Sequence, residues 1–306
     1  MSDKIAIIAD NGPSDASAEY LADAVEGSGR EAPVLDAGTS LAAALKDAEP
    51  DAALICATGT AAQSARIALD TMGIPYVGPA ARTCRGASDM VNLFSILGNA
   101  RKFGELCAHV PYMAYLDKGC LEKPGVEILL EELEQRLPDG YPVTVGTPYG
   151  HADGRSAARD RGQLLEAIGT LDTEEGLCIW ESPEGTRATV SMFGEPGDIE
   201  VLPPAEHARD GLHIPVRLES LSHVAPDAQA IRSEMERAAL DVYLACGCRD
   251  YASVEILWDG ARACVLDVDL APQLGPDSIF AKQCAAAGIS ADELVDELVY
   301  LALDRR

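Results

Sequence analysis

The sequence lacks any long apolar run. Its 306 residues are 47% hydrophobic, which is enough to bury sizeable cores and suggests two or three domains. No stretch approaches the roughly 18 consecutive apolar residues of a transmembrane helix, so none is expected. The first ten residues, MSDKIAIIAD, have the pattern of a strand and not the charged and apolar regions of a signal peptide. We therefore expect a cytoplasmic protein.

Basic residues are scarce, and lysine most of all. The chain has 24 Lys and Arg, of which six are Lys, against 50 Asp and Glu, and its net charge is −26. A surface with this charge repels nucleic acid and anionic membranes. Neither nucleic acid nor a membrane is therefore an expected partner.

The cysteines lack the spacing of a disulfide framework or a metal site. Nine cysteines, mostly within apolar runs, indicate reduced, buried thiols. The CGC segment at 246–248 lacks the two-residue spacer of zinc and redox pairs, and no histidine lies near it in sequence. The five histidines are scattered and no Ser or Cys stands in a nucleophile elbow. These residues therefore offer no obvious chemistry of their own.

Short apolar runs alternate with helical patterns over the first 90 residues. This alternation predicts an α/β unit with a parallel sheet. Two further units are expected to follow, each mixing helices and strands, and no long linker separates them. The expected boundaries are 1–90, 91–182 and 183–306. The runs that predict the parallel strands are 4–8, 32–37, 52–57 and 74–78.

Two acidic residues interrupt the apolar stretch ACVLDVDLAP near the end of the chain. Asp267 and Asp269 are two apart in a predicted strand, so their carboxylates share one face. An Asp-Gly turn at 259–260 predicts a hairpin that brings Glu255 across from this pair. Three converging carboxylates suit a hard divalent cation. A solvated acidic sheet face is the alternative, and the residues alone leave both open.

The hairpin resembles a known family. Residues 247–303, beginning GCRDYASVEILWDG, are similar to the C-terminal part of D-alanine–D-alanine ligases of the ATP-grasp superfamily. That family has Gly-Cys-x-Gly-x-x-Arg-x-Asp in the first arm and Leu-Glu-x-Asn-x-x-Pro-Gly in the second. Residues 73–90, GIPYVGPAARTCRGASDM, resemble a further family segment that ends in Asp-Lys. The resemblance implies an ATP-grasp fold, in which a pre-ATP-grasp unit at 1–90 precedes two α+β units that clamp a cleft.

The resemblance also implies roles for individual residues. Glu255, Asp267 and Asp269 occupy the three metal-ligand positions, where Mg²⁺ or Mn²⁺ would bridge ATP phosphates. Ser278 stands where the family holds the carboxylate of its second amino-acid substrate, and Gly275 belongs to the substrate-facing loop. The family also typically dimerises, so we expect a homodimer or a heterodimer with an intact relative.

Several family positions carry the wrong chemistry in this chain. Gly146 and Met90 stand at the two lysines that hold ATP phosphates, and neither replacement has a charge. Ser253 stands at the arginine that supplies a transition-state cation. Ala16 stands at the glutamate that orients the first amino acid. The expected cofactors are therefore Mg²⁺ or Mn²⁺ with ATP if the protein is active, and the alternative is that it binds none.

Other residues could supply part of what is missing. Trp180 and Glu181 lie at the position of the ATP hinge, although a tryptophan at a strand end more often packs in a core. Arg155, Arg159 or Arg187 could replace the missing cations. Arg155 and Arg159 lie in the stretch 149–160, which aligns with a flexible phosphate loop, and an exposed loop with arginine is equally compatible with no ligand.

Two classes of function remain open. The chain could be a D-alanine–D-alanine ligase-like protein with impaired or lost dipeptide ligation, including a non-catalytic partner of an intact ligase. It could instead be an active divergent ligase that forms an amide through an acyl-phosphate. The missing cations favour the first class and family membership favours the second.

Overall fold

The computed structural model describes residues 3–38, 40–121, 126–137, 140–149, 155–171, 174–195, 197–207 and 228–305. Within these residues the strands form three sheets, one parallel and two antiparallel. In the described part of the chain, no helix combines the length and apolar content needed to cross a bilayer.

The first sheet is parallel, as the alternating pattern predicts. Its strands lie in the order β2-β1-β3, and every residue of β1 is buried because helices cover the sheet. The run 74–78 was also expected to be a strand, but it makes a single bridge between Ala53 and Tyr76. Pro75 within this run has no N–H to donate, which limits its pairing. The strands are β1 Ile5–Ala9, β2 Val34–Asp36 and β3 Ala52–Ile55.

Five helices lie between residues 16 and 102 in the described part of the chain. Asp15 caps the first of them by accepting the backbone N–H groups of Ser17 and Ala18. The sequence pattern of residues 91–107 predicts a helix, but the fifth helix ends at Lys102, and Gly104 follows with a φ of +78°. The helices are α1 Ala16–Gly27, α2 Leu41–Ala48, α3 Gly59–Met72, α4 Ala81–Ala87 and α5 Met90–Lys102.

The second sheet is antiparallel, with the strand order β4-β7-β5-β6. Its apolar side chains pack against the helices of this segment. One buried cluster contains Leu130, Val143, Leu164 and Ile179. The strands are β4 Met113–Leu116, β5 Val143–Gly146, β6 Ser156–Ala158 and β7 Leu177–Glu181, and the helices are α6 Lys118–Leu121, α7 Val126–Arg136 and α8 Arg161–Thr170.

The third sheet is antiparallel and carries the hairpin. Its order is β10-β8-β11-β12, with β9 also paired to β8. Helix α5 and the long helix α9 pack on this sheet in the largest core cluster, so α5 shares its core with the C-terminal strands. The elements are β8 Thr186–Glu195, β9 Asp198–Val201, β10 Ala205–Glu206, α9 Ala228–Ala245, β11 Asp250–Trp258, β12 Ala263–Asp269, α10 Ile279–Ala287 and α11 Ala291–Leu303.

A buried ion pair joins the third sheet to the N-terminal region. Asp250, at the start of β11, is 2% exposed and has a φ of +68°, at the position where the resembling motif has glycine. Its carboxylate accepts hydrogen bonds at 2.6 and 2.7 Å from Arg305 and at 2.7 Å from the backbone N–H of Gly78. Arg249 donates to the carbonyl of Gly78 and stacks over Tyr76. Side-chain charge therefore fixes this junction as well as apolar packing.

Candidate functional site

The carboxylate hairpin has the register that the sequence predicts. Glu255 lies directly opposite Asp267, and Ser253 lies opposite Asp269, so the three acids share one face. A register shift next to Glu255 leaves Leu266 as an extra residue in β12, which is a β-bulge. Without this bulge, Asp267 would be opposite Val254 and would point into the core. The bulge was not visible in the sequence.

Two arginines contact the acids of the hairpin. Arg155 precedes β6 and places Nη2 2.8 Å from Oδ2 of Asp267. Arg187 of β8 lies 3.7 Å from Glu255. Asp269 is exposed, and its Oδ1 accepts the backbone N–H of Ala271. Guanidinium groups therefore answer the charges of Asp267 and Glu255 in the structure.

The acids do not form a ready-made metal cage. In the part of the chain that the structure describes, no group of three or more His, Cys, Asp or Glu residues is arranged to hold a metal ion. Asp267 also accepts the backbone N–H of Val268 at 2.8 Å. The metal-ligand assignment of Glu255, Asp267 and Asp269 therefore stays a prediction, and the arginine contacts are what the structure adds to it.

The guanidinium of Arg155 lies between the second and third sheets. Its Cζ is 5.5 Å from the ring centroid of Trp180 in β7, a distance at which cation–π attraction operates. Its Nη2 lies 3.7 Å from Sδ of Met90, and its Nε is buried with no hydrogen-bond partner in the described residues. The side chain is 18% exposed. Arg155 therefore fills the space that faces the hairpin.

The two positions at which the resemblance expects lysines lie in buried, packed surroundings. Gly146 is buried and pairs with Cys178 in the second sheet. Met90 is 4% exposed, and its backbone N–H donates to the carbonyl of Pro148 at 2.9 Å. Its side chain belongs to the largest core cluster. A charge at Met90 would have to be accommodated in an apolar core, which is costly.

Ser253, at the missing arginine, takes part in a neutral buried network. Its Oγ lies 2.7 Å from Oγ of Ser191, which donates to Oε1 of Gln283 at 2.6 Å. The amide of Gln283 in turn donates to the carbonyls of Thr189 and Pro203. Gln283 was missed by the sequence reasoning, and the signal that could have found it is a single uncharged polar residue within the Ala-rich helix IFAKQCAAA.

Glu181 follows Trp180 and is held by a histidine. Its Oε2 accepts the backbone N–H of Tyr112 at 2.6 Å and lies 3.3 Å from Nε2 of His109. Because Arg101 can only donate to Nδ1 of His109, at 3.0 Å, His109 is neutral and its Nε2–H donates to Glu181. Burial lowers the pKa of His109, and the charges of Arg262 and Arg101 add to this. Oε1 of Glu181 is buried without a partner in the described residues.

The predicted substrate residues lie beside the N-terminal region. Gly275 packs so closely against helix α1 that a Cβ atom there would lie 2.5 Å from Oγ of Ser17. Ser278 caps helix α10, since its Oγ accepts the backbone N–H of Ala281 at 3.0 Å. Neither contact tests the predicted substrate roles. Residues 150–154 of the stretch aligned with the phosphate loop lie outside the described residues.

Comparisons with known proteins add to this geometry. No protein-family model matches the chain. A D-alanine--D-alanine ligase of Carboxydothermus hydrogenoformans is 27% identical over 289 residues, which are 89% of this chain and 88% of that protein. The D-alanine--D-alanine ligase of Desulforudis audaxviator is 25% identical over 92% of this chain and 91% of its own length. The chain is therefore similar to D-alanine--D-alanine ligases over most of its length.

Solved structures agree with this family in fold. The crystal structure of the Bacillus anthracis D-alanine--D-alanine ligase matches with a TM-score of 0.76 and 18% identity, over 99% of this chain and 98% of that one. The Coxiella burnetii D-alanine-D-alanine ligase matches with a TM-score of 0.76 and 13% identity, over 99% and 96%. The ATP-grasp fold expected from the sequence is therefore confirmed. That the ATP and substrate motifs of this chain are degenerate stays a prediction from the sequence.

Proposed function

We propose that this ligase-like ATP-grasp protein has impaired or lost D-alanyl-D-alanine ligation. The proposal rests on the side chains at three positions where the resemblance expects a positive charge. Gly146, Met90 and Ser253 are uncharged, and each is buried. Met90 is part of an apolar core and Ser253 of a saturated hydrogen-bond network. The surroundings of these residues have adapted to neutral side chains.

The side chains present do not fit a magnesium nucleotide as arranged. A Mg²⁺ ion that bridges phosphates needs free carboxylate oxygens and nearby cations, whereas Asp267 is paired with Arg155 and Glu255 with Arg187. A related solved structure, the Bacillus anthracis ligase complexed with ATP, shares 20% identity at a TM-score of 0.74. For this chain, nucleotide binding would require Arg155 to leave Asp267.

The missing cations are large enough to matter for catalysis. Phosphoryl transfer depends on positioned positive charge, and the loss of one stabilising donor costs about 2.7–4 kcal/mol in the transition state. Three such losses exceed what one or two partly exposed arginines would restore. The expected result is a very slow or absent ligation.

The test is a ligation assay with a matched control. Purified protein, ATP, Mg²⁺ and D-alanine are incubated, and released phosphate and D-alanyl-D-alanine are both measured, with the Carboxydothermus hydrogenoformans ligase run in parallel. We expect product from the control and none above background from this chain. Turnover within about tenfold of the control would overturn the proposal.

An active divergent ligase is the second candidate, and one contact favours it. The guanidinium of Arg155 lies 3.7 Å from Sδ of Met90, so a cation is present beside one of the missing lysine positions. If Arg155 supplies the phosphate contact, Arg155→Gln should lower ligation by about tenfold or more, the value of a lost charge-assisted hydrogen bond. The control Arg159→Gln removes an arginine from the same segment and should have no effect. Equal activity in both variants would eliminate this candidate.

The proposal also concerns the oligomeric state of the protein. We expect a homodimer, or a heterodimer in which this chain is the non-catalytic partner of an intact ligase. All nine cysteines are free thiols, which supports a reducing, cytoplasmic location. Sedimentation at micromolar concentration, with and without an intact ligase from the same cell, should show a species of twice the monomer mass. A monomer in both conditions would contradict this expectation.

A further inference from the structure

A cavity lies at the edge of the parallel sheet where strands β1 and β2 begin. Its volume is about 630 Å³, and it is open to solvent. Four charged residues line it: Lys4 lies just before β1, Glu26 lies near the end of α1, and Arg30 and Glu31 lie between α1 and β2. Sites for small molecules commonly have volumes of roughly 300–1,000 Å³, so the cavity has room for such a ligand.

The cavity is at the opposite end of helix α1 from the predicted substrate residues. Gly275 packs against Ser17 in the first turn of α1, whereas Glu26 is in the last turn. A helix of 12 residues is about 18 Å long. Among the described residues that line the cavity, none belongs to the carboxylate hairpin. The cavity is therefore separate from the candidate site described above.

The ammonium group of Lys4 keeps donors for a ligand. It has three N–H groups, and one of them donates to the carbonyl of Ala48 at 2.8 Å. The carboxylate of Glu31 lies 3.9 Å from the Lys4 nitrogen, which is an ion-pair distance but too long for a hydrogen bond. The Lys4 side chain is 34% exposed. Lys4 is thus held at the cavity by its neighbours while part of its ammonium group stays accessible.

The guanidinium group of Arg30 is held on one side only. Its Nη1 donates to Oγ of Ser28 at 2.6 Å and also contacts Asp296 of α11. Within the described residues, Nε and Nη2 of Arg30 make no hydrogen bond. A guanidinium presents such N–H groups as a planar pair that matches a carboxylate. Arg30 is therefore suited to bind a carboxylate through the groups it does not use within the protein.

Glu26 and Glu31 supply the opposite charge. Both are exposed, and the carboxylate of Glu26 has no ion pair or hydrogen bond with the described residues. Helices α1 and α2 both end at this edge of the sheet, and the partial negative charge of a helix C-terminus also favours a cation. The lining further includes the small apolar residues Ala32 and Pro33. The cavity therefore combines accessible donors, accessible acceptors and a short apolar surface.

We infer that this cavity binds a small zwitterion, a free α-amino acid or a short peptide, with its carboxylate at Lys4 and Arg30 and its ammonium group at Glu26 and Glu31. Charged groups of both signs around one cavity complement a ligand that carries one charge of each sign. A ligand with negative charge alone is repelled by a chain of net charge −26, and one with positive charge alone meets the two cations. The inference does not depend on ligation.

The experiment measures the binding of D-alanine, L-alanine and their dipeptides at constant ionic strength, by equilibrium dialysis and by thermal unfolding. Acetate and methylamine, each of which carries one of the two charges, are the ligand controls. We expect at least one zwitterion to bind at millimolar concentration and to raise the melting temperature of the wild type, and neither control to do so. The comparison of alanine with its dipeptide distinguishes an amino-acid site from a peptide site.

Variants assign the binding to the cavity. The dissociation constant should rise about tenfold or more in Arg30→Gln and about fivefold in Glu26→Gln. Glu26→Gln should also fold as the wild type does, because its carboxylate has no partner among the described residues. Lys46→Gln on α2 and Glu19→Gln on α1 change the charge equally at exposed positions outside the cavity, so both should bind the ligand like the wild type.

Three results would overturn the inference. The first is that no zwitterion binds at millimolar concentration. The second is that acetate or methylamine binds as tightly as the zwitterions, which would indicate a site for one charge only. The third is that Arg30→Gln or Glu26→Gln binds as tightly as the wild type. Because dialysis also counts the bound molecules, a ligand at the predicted substrate residues would not hide the loss of one at the cavity.

Discussion

Two aspartate–arginine pairs in this molecule share the same chemistry but differ in burial. The difference lies in the aspartates: the side chain of Asp250 is 2% exposed and that of its partner Arg305 is 28% exposed, whereas those of Asp267 and Arg155 are 35% and 18% exposed. The buried pair has two hydrogen bonds and joins distant parts of the chain; the other has one and lies at the candidate site. The difference indicates that the first pair holds the structure together, while the second is open to exchange with another cation.

The largest effect is expected from breaking the buried pair. Arg305→Gln removes the arginine that donates two hydrogen bonds to Asp250 and leaves Arg249, whose Nε lies 3.9 Å from Oδ2. Removal of one partner from a buried ion pair costs about 3–5 kcal/mol, and we expect a loss towards the lower end of this range. Urea unfolding monitored by circular dichroism measures this loss. The double variant Asp250→Gly/Arg305→Met removes both charges and the positive φ at a non-glycine residue, so it should be more stable than Arg305→Gln. A loss below about 1 kcal/mol in Arg305→Gln would remove the distinction between the pairs.

The second effect concerns exchange at the exposed pair. Arg155→Gln removes the cation that competes for Asp267, so the affinity of the hairpin for Mn²⁺ should rise by about tenfold, equal to roughly 1.4 kcal/mol. Electron paramagnetic resonance of free Mn²⁺ gives the affinity, and fluorescence quenching in a Trp258→Phe background, in which Trp180 is the one remaining tryptophan, locates the ion. Arg159→Gln is the control and should bind Mn²⁺ as the wild type does. Equal affinities in both variants would mean that the ion does not bind at the hairpin.

A smaller effect should follow from neutralising the exposed aspartate. Asp267→Asn loses one partly exposed ion pair, and such pairs contribute about 0–1 kcal/mol. The amide oxygen of asparagine can still accept the N–H of Val268. We therefore expect the free energy of unfolding in metal-free buffer to change by less than about 1 kcal/mol. A loss comparable with that of Arg305→Gln would show that exposure does not separate the two pairs.

The smallest effect is expected at a third acid, Glu181, which accepts a hydrogen bond from His109. The lowered pKa of His109 means that the folded protein binds fewer protons than the unfolded chain below the unfolded pKa of about 6.5. Stability is therefore fully present above this pH and declines as the pH falls towards the folded pKa. His109→Gln keeps a donor for Glu181 and should flatten this decline in urea titrations between pH 5 and 7, roughly the range in which histidine titrates.

Arg101→Gln tests the cause of that decline. It removes a positive charge that opposes protonation of His109, so the loss of stability on acidification should become smaller. An unchanged pH profile in both His109→Gln and Arg101→Gln would assign the decline to other groups.

Local patterns predicted much of the fold and part of the site. The alternation of residues in β12 and the Asp-Gly turn were sufficient to bring Glu255 across from the two aspartates, because strand pairing near a tight turn is set locally. The exact pairing of Glu255 with Asp267 depends on the bulge at Leu266, which the sequence did not predict. The parallel sheet followed from the order of strands and helices. Short helix α4 was missed because seven residues around a glycine carry little periodicity.

The charge partners could not be predicted in the same way. Arg155 and Asp267 are 112 positions apart, and Arg305 and Asp250 are 55 apart, so only the packed sheets bring them together. Arg155 was a candidate for phosphate, and nothing in its local sequence indicated that it would contact a hairpin carboxylate. Asp250 drew no attention because its left-handed backbone is a property of the turn before β11 and not of the residue type.

The bulge at Leu266 means that the hairpin has two conceivable alignments. In a regular ladder, Leu266 would lie opposite Glu255, and Asp267 and Asp269 would face the core beside Val254. That alignment is penalised by the desolvation of two carboxylates, so the acids themselves help to select the observed pairing. Any substitution of both acids by apolar residues removes this selection. If such a variant lost binding, a shift in strand register would explain the loss as well as the missing carboxylates would.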